Sequence, residues 1–165
     1  MSILTKGLQQ KSKNAERSTK ELFKRFRKKA PHDLDVTIQR IHEKVFGKTD
    51  CLNCANCCRT LGPRLVDKDI VRLSGYLKLK PSMFTEKYLL LDDDSDYVFR
   101  KMPCPFLMDD NCCNVYDERP KACREYPHTD RKKFYQLLDL TLKNTFICPA
   151  VYEIIEELKV HYSKQ

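Results

Sequence analysis

The run Cys51-Leu52-Asn53-Cys54-Ala55-Asn56-Cys57-Cys58 places four thiols in eight residues and constrains this chain more than anything else in it. Two C-x-x-C steps share Cys54, and an adjacent pair ends the run. Thiols at that spacing can turn toward one ion, because the backbone between them folds into a tight knuckle. Adjacent thiols strain when they share a tetrahedral site, so Cys57 and Cys58 are expected to point to different places. Cys104, Cys113, Cys123 and Cys148 follow downstream. Eight soft ligands suit two zinc sites of four thiolates each, or iron–sulfur clusters.

Disulfides are the other common use of clustered cysteines, and the rest of the chain argues against them. Nine Cys in 165 residues fall below the density of a secreted disulfide scaffold, and the count is odd. Ile3 and Leu4 are interrupted by Lys6 and Gly7 before a secretory apolar core could form. No run approaches the roughly 18 apolar residues of a membrane span. The expectation is a cytoplasmic chain whose thiols stay reduced and serve metal or redox chemistry. Hydrophobic content of 41% and charged content of 33% are enough for an ordinary globular core. With only 4 Gly the chain has little from which to build a phosphate loop. Neither G-x-S-x-G nor H-E-x-x-H occurs.

The net charge of +8 is concentrated at one end. Residues 1–30 hold ten Lys and Arg against Glu16 and Glu21, and the remainder sums to zero. The chain divides on this reading into a flexible basic segment 1–17, a helical extension 18–50 and a cysteine-cluster domain 51–165. Ser18 and Glu21 have capping-box spacing ahead of the stripe Leu22, Phe23, Phe26 and Ala30, which Pro31 ends. The opposite, basic face of residues 18–30 could meet an anionic partner, nucleic acid or a membrane surface, or simply be solvated. Asp33 and Gly47 bracket a second helix.

The cysteine run is expected on an irregular loop. Short helices are predicted from Asp67 to Gly75 and from Ser82 to Tyr88. Leu89–Leu91 and Tyr97–Met102 read as strands around an acidic turn, Asp92 to Asp96, which lacks the Gly and terminal Glu of a calcium loop. A second hairpin is predicted around Asp109-Asp110-Asn111, and a helical turn at Cys123. Thr129 is expected to cap a helix running to about Asn144, and Pro149 to open the last one. The fold class is therefore α+β, mainly helical, with short β-hairpins and metal-binding loops around a small cysteine cluster.

Two downstream blocks specify more than any single C-x-x-C. One is Pro103-Cys104-Pro105-Phe106-Leu107, and the other runs from Cys113-Asn114-Val115-Tyr116 through Arg119-Pro120 to Cys123-Arg124. With the opening run they resemble the CxxCxxCC (YkgJ-like) zinc- or iron-chelating domain family, from Cys51 to about Cys148. The resemblance implies that Cys113 is the family cysteine and Cys112 the odd thiol. It implies zinc or iron as cofactor and leaves the biological task unassigned. A related cluster occurs in flagellin lysine N-methylases, which implies as an alternative an iron–sulfur-dependent redox or methyl-transfer enzyme. A metal-stabilised module binding nucleic acid or a protein is another alternative.

The metal ligands expected are Cys51, Cys54, Cys57, Cys58, Cys104, Cys113, Cys123 and Cys148. Clean sets of four thiolates favour zinc. The C-x-x-C-x-x-C run with remote Cys-Pro pairs at Cys104 and Cys148 favours iron–sulfur, although Cys58 breaks the ferredoxin register. The balance tips toward a cluster. Tyr116, Arg119 and Arg124 are expected beside the ligands, where cations and N–H donors offset thiolate charge. His128 is expected at the surface or in a cap. The sequence names no catalytic residue, no small-molecule substrate and no oligomeric state.

Overall fold

The computed structural model describes Thr5 and residues 7–163. In chain order the elements are α1 Leu8–Lys28, α2 Leu34–Phe46, α3 Cys51–Cys54, α4 Asn56–Thr60, α5 Asp67–Tyr76 and α6 Pro81–Tyr88. Strands β1 Leu89–Leu91 and β2 Tyr97–Phe99 follow, then α7 Lys121–Glu125, a 3-10 turn Phe134–Gln136, α8 Leu138–Thr145 and α9 Pro149–Ser163. The architecture is mainly helical α+β. Its one sheet among the described residues is the antiparallel pair β1–β2, in register Leu89 to Phe99, Leu90 to Val98 and Leu91 to Tyr97. The chain packs as two compact units, one made of the residues up to Asn56 and from Pro127 onward, the other of Cys57–Tyr126.

In the first unit α2 packs along α9, with α1 and α8 against the same helix. Phe23, Ile38, Phe134, Ile154, Ile155 and Leu158 are fully buried there, and each contributes about 1.5–3 kcal/mol by leaving water. Phe26 meets Tyr162 edge-on with ring centroids 5.2 Å apart. The Tyr162 hydroxyl donates to Asp33 Oδ1 at 2.9 Å, joining the end of α9 to the start of α2.

Two features of this unit differ from the sequence reading. Helix α1 begins at Leu8, not Ser18, and so takes in most of the segment expected to be flexible; residues 1–4 and 6 of that segment lie outside the described residues. Its added turns bury Ser12, and the expected part buries Thr19, at positions where a count of apolar residues finds no stripe. Ser12 Oγ donates to the carbonyl of Thr145 at 2.7 Å, and Thr19 Oγ1 to that of Ala15 at 3.0 Å, so neither hydroxyl is buried unsatisfied. The helix expected from Thr129 begins only at Leu138. Asp35 on α2 accepts from the backbone N–H groups of Lys133 (2.7 Å) and Phe134 (2.9 Å), holding Lys133 left-handed at φ 58°. Thr129 is buried instead against His42 Nδ1, with Oγ1 at 2.7 Å.

The second unit is smaller and aromatic. Phe106 stands at its centre, with ring centroids 5.2 Å from Tyr88, 5.6 Å from Phe99 and 6.5 Å from Phe84. The acidic turn is closed by Asp92 itself, whose Oδ1 accepts from the N–H of Asp94 (3.0 Å) and of Asp96 (2.9 Å). The hairpin expected around Asp109-Asp110-Asn111 reduces to one bridge, Leu107 with Cys113, flanked by Met108 N–H to the Cys112 carbonyl and Asn114 N–H to the Phe106 carbonyl.

Candidate metal centre

The cysteine run forms two short helices in place of the expected loop. Asp50 caps α3, its Oδ1 accepting from the Asn53 N–H at 3.0 Å. Ala55 then reverses the chain in the left-handed region at φ 45°, a conformation that costs a non-glycine residue about 1 kcal/mol. Its methyl is buried and its N–H returns to the Cys51 carbonyl at 2.8 Å, so packing and a hydrogen bond hold it there. The sharp turn divides the run. Cys51 and Cys54 belong to the first unit, and Cys57 and Cys58 to the second.

Within the second unit, thiols from four separate segments gather. The Cys58 carbonyl on α4 accepts the Cys104 N–H at 2.8 Å, fastening the Pro-Cys-Pro segment to that helix. Cys104 and Cys113 both pack against the aromatic core. The residue two positions after each is a core anchor, Phe106 and Val115, and both are buried. The backbone N–H groups of Phe106 and Val115 favour charge on the sulfurs of Cys104 and Cys113, while the Leu107 N–H bonds the Cys104 carbonyl at 3.0 Å. Donors aimed at sulfur offset thiolate charge at metal sites. Cys123 lies on α7, whose first turn closes with its N–H on the Pro120 carbonyl at 2.9 Å.

Electrostatics links the four. Burial pushes Cys104 up to about 11 and Cys123 up to about 12, and the charge of neighbouring thiolates adds to both. Burial raises Cys113 as well, with the Val115 N–H opposing. Cys58 goes the other way, to about 7, because the Cys57 thiol donates to it and the Arg119 and Arg59 guanidiniums favour its charge. The Cys57 and Cys58 sulfurs are 4.0 Å apart. Cys58 is thus the natural first thiolate, with three neutral thiols beside it.

A family model described as "putative zinc- or iron-chelating domain", CxxCxxCC, matches residues 50–141. The chain belongs to the CxxCxxCC family. No curated protein and no solved structure matches it. Seven of the eight cysteines expected as ligands fall inside the matched residues, and Cys148 lies beyond them.

Cys148 is placed by the first unit, in the turn ahead of α9. The N–H groups of Ala150 and Val151, at the start of that helix, favour charge on its sulfur. Burial raises it to about 11, and the thiols of Cys54 and Cys51 act on it through their charge. Asn56 Nδ2 donates to the Ile147 carbonyl at 2.6 Å, fixing the end of the run beside this turn. Cys51 and Cys54, inside the matched residues, thus act by charge on Cys148, outside them.

The residues expected beside the ligands differ in role. Arg119 lies over the Tyr116 ring with its guanidinium carbon 3.4 Å from the centroid, and its charge acts on Cys58, Cys113 and Cys123. Tyr116 is 56% exposed, so it supports Arg119 and is no part of the core. Arg124 Nη1 donates to the Arg119 carbonyl at 2.6 Å and positions that residue's backbone. The Cys112 N–H bonds Asp110 Oδ1 at 2.9 Å, and its thiol hydrogen-bonds the same carboxylate. His128 sits in a left-handed turn at φ 68° in the first unit.

Sequence reasoning missed the framework under Cys123. Asp69, buried on α5, accepts from Arg72 Nη2 at 2.6 Å, the Lys121 N–H at 3.1 Å and the Val66 N–H at 3.2 Å. Arg72 Nη2 also donates to the Arg119 carbonyl at 2.8 Å. This pair therefore secures the stretch from Arg119 to the first residue of α7. The i, i+3 spacing of Asp69 and Arg72 was visible, but the Lys121 N–H and the Arg119 carbonyl they serve about 50 residues on were not. Arg59 was missed too; it bonds Asn111 and adds charge near Cys58.

Among the described residues, no three His, Cys, Asp or Glu side chains already stand as an ion's coordination shell. The fit lies in donor chemistry: four thiols, backbone N–H groups that favour charge on two of them, and two guanidinium charges. That combination matches a soft, positively charged guest.

Proposed function

We propose that this chain chelates zinc or iron through the thiolates of Cys58, Cys104, Cys113 and Cys123, and that Cys51, Cys54 and Cys148 serve a second thiolate site. The observation that carries the reading is the fastening of Cys104 to Cys58, its N–H on the Cys58 carbonyl at 2.8 Å, in a setting where the Phe106 and Val115 N–H groups favour charge on the Cys104 and Cys113 sulfurs. Neutral thiols in a packed core have little use for surroundings that favour their charge. Thiolates bound to a cation do. Bound metal would supply a cross-link among four segments, so that binding and folding of the Cys57–Tyr126 unit are coupled.

Arg119 and Arg59 offset the negative charge that four thiolates leave on a divalent ion. Cys58 deprotonates first and offers the initial ligand. Cys104, Cys113 and Cys123 then lose their protons on closing around the ion. Cys57, the eighth thiol of the expected set, has its sulfur 4.0 Å from that of Cys58. A single zinc or iron ion and an iron–sulfur cluster all accept four thiolates. The lean toward a cluster drew on a ferredoxin-like run, and that support weakens because the run is shared between the two units. All nine cysteines are free, which suits a reducing compartment such as the cytoplasm.

Anaerobic purification followed by metal analysis and a visible spectrum tests the proposal. Stoichiometric zinc in colourless protein, or iron with absorption near about 400 nm, supports chelation, and acid-labile sulfide identifies a cluster. A fully folded chain with neither metal, in protein never exposed to a chelator, overturns it.

A further inference from the structure

The solvent face of α1 is the strongest feature that the metal reading leaves unexplained. Its apolar side, including Leu8, Leu22, Phe23 and Phe26, is turned into the first unit's core. On the opposite side Lys13, Arg17, Lys20, Lys24 and Lys28 follow one another at steps of three or four residues. At 1.5 Å per residue this stripe is about 22 Å long, with a cation roughly every 5–6 Å. All five are exposed.

The ordinary reading, a solvated helix face, accounts for only part of this. Basic residues in the last turn, Arg25, Arg27 and Lys28, complement the helix dipole. Lys11 and Lys13 sit near the opposite, positive end, where the first turn carries no acid, and there the dipole opposes them. Only two acids lie on the helix. Glu21 pairs with Arg17 at 3.1 Å and Glu16 with Lys20 at 2.5 Å, and both are i, i+4 neighbours. Glu16 also stands three residues from Lys13 and Glu21 three from Lys24, yet two acids against five cations leave the stripe with a net charge of +3. That row suits a partner carrying negative charge at a comparable repeat.

We propose that this face of α1 binds the phosphate backbone of a nucleic acid without regard to sequence. The cation spacing suits successive phosphates along a strand. An anionic membrane is the weaker fit, because interfacial helices insert an apolar face and that of α1 is already buried in the core. The open concavity lined by Lys13, Glu16, Arg17, Lys20, Glu21 and Lys24 carries two carboxylates, which disfavours a small anion, and the five cations of the stripe include no aromatic side chain for stacking on bases. Its affinity is therefore electrostatic, and it falls steeply with salt.

The test uses the full, metal-loaded chain and fluorescence anisotropy with a labelled mixed-sequence RNA or duplex DNA of about 20 nucleotides. Between about 50 and 300 mM salt, five phosphate contacts predict a slope of log K against log salt of about −3.5 to −4.5. K13Q/K24Q/K28Q removes three contacts. It should flatten the slope by about 2–3 units and weaken binding more than tenfold at low salt. Circular dichroism and metal content should stay as in the parent. K68Q/K80Q/K101Q makes the same charge change on exposed lysines of the other unit and should bind as the parent does. No binding at about 50 mM salt, equal weakening by both triple variants, or retention by anionic vesicles with none by nucleic acid would each overturn the proposal.

Discussion

Replacing Asp69 tests whether the buried carboxylate under α7 organises the Cys58, Cys104, Cys113 and Cys123 set. Asp69→Ala deletes three hydrogen bonds: Arg72 at 2.6 Å, Lys121 N–H at 3.1 Å and Val66 N–H at 3.2 Å. Each backbone bond to a carboxylate is worth about 1.5 kcal/mol. The Arg72 pair adds only about 0.5–1 kcal/mol, because its guanidinium is 30% exposed and solvent screens it. The loss therefore comes to about 3–4 kcal/mol, near the range for breaking a buried pair from one side. With a urea slope of about 1.5 kcal/mol/M, the midpoint for the Cys57–Tyr126 unit should fall by about 2 M. Asp69→Asn keeps the shape and one acceptor oxygen, so it should lose about half as much. The assay is urea unfolding of metal-loaded protein, with metal retention against a competing chelator measured in parallel. Metal should be lost more readily in the order parent, Asp69→Asn, Asp69→Ala. A cost below about 1 kcal/mol for Asp69→Ala, or lost stability with unchanged metal retention, would refute the reasoning.

Cysteine substitutions separate ligands from bystanders. Cys58→Ser, Cys104→Ser, Cys113→Ser and Cys123→Ser should each lower bound metal, whereas Cys112→Ser should leave it unchanged; a reversed pattern would place Cys112 in the site. Loading the second unit at pH 7 should release roughly 3.5 protons per ion, since Cys58 near 7 is half ionised while Cys104, Cys113 and Cys123 are protonated. Calorimetry in buffers of different ionisation enthalpy counts them, and a release near one would contradict the four-thiolate reading. Burial holds His42 below its ordinary 6.5, so the unfolded chain takes the proton first as pH falls. Its contribution is complete above about 6.5 and lost as pH drops through the lower folded value. The unfolding free energy of the parent should accordingly decline more steeply from pH 7 to 5 than that of His42→Gln. Parallel curves would show that burial does not perturb this imidazole.

What the sequence disclosed was mostly local. Asp33 and Gly47 bracket α2, Pro149 opens α9, and Leu89–Leu91 pairs with Tyr97–Phe99, because capping, proline and alternation act within a few residues. Long-range partners decided the rest. Ser12 occupies a buried position only because the Thr145 carbonyl receives its hydroxyl. Lys133 leaves the helical region, and a 3-10 turn begins at Phe134, where Asp35 takes both N–H groups. The cysteines were legible by type and spacing, as was Arg119 by its place in the motif. Their grouping was not. The reversal at Ala55 puts Cys51 and Cys54 with Cys148, and Cys58 with three thiols 46 or more residues downstream.

X-ray absorption at the edge of whichever metal the purified protein carries reads the coordination directly. A sulfur-only shell of about four ligands near 2.3 Å is predicted, with one sulfur fewer per substituted site in Cys123→Ser. Backscattering from a second iron would indicate a cluster on the same thiolates. A shell dominated by nitrogen or oxygen, unchanged by Cys123→Ser, would contradict the claim that these cysteines hold the ion.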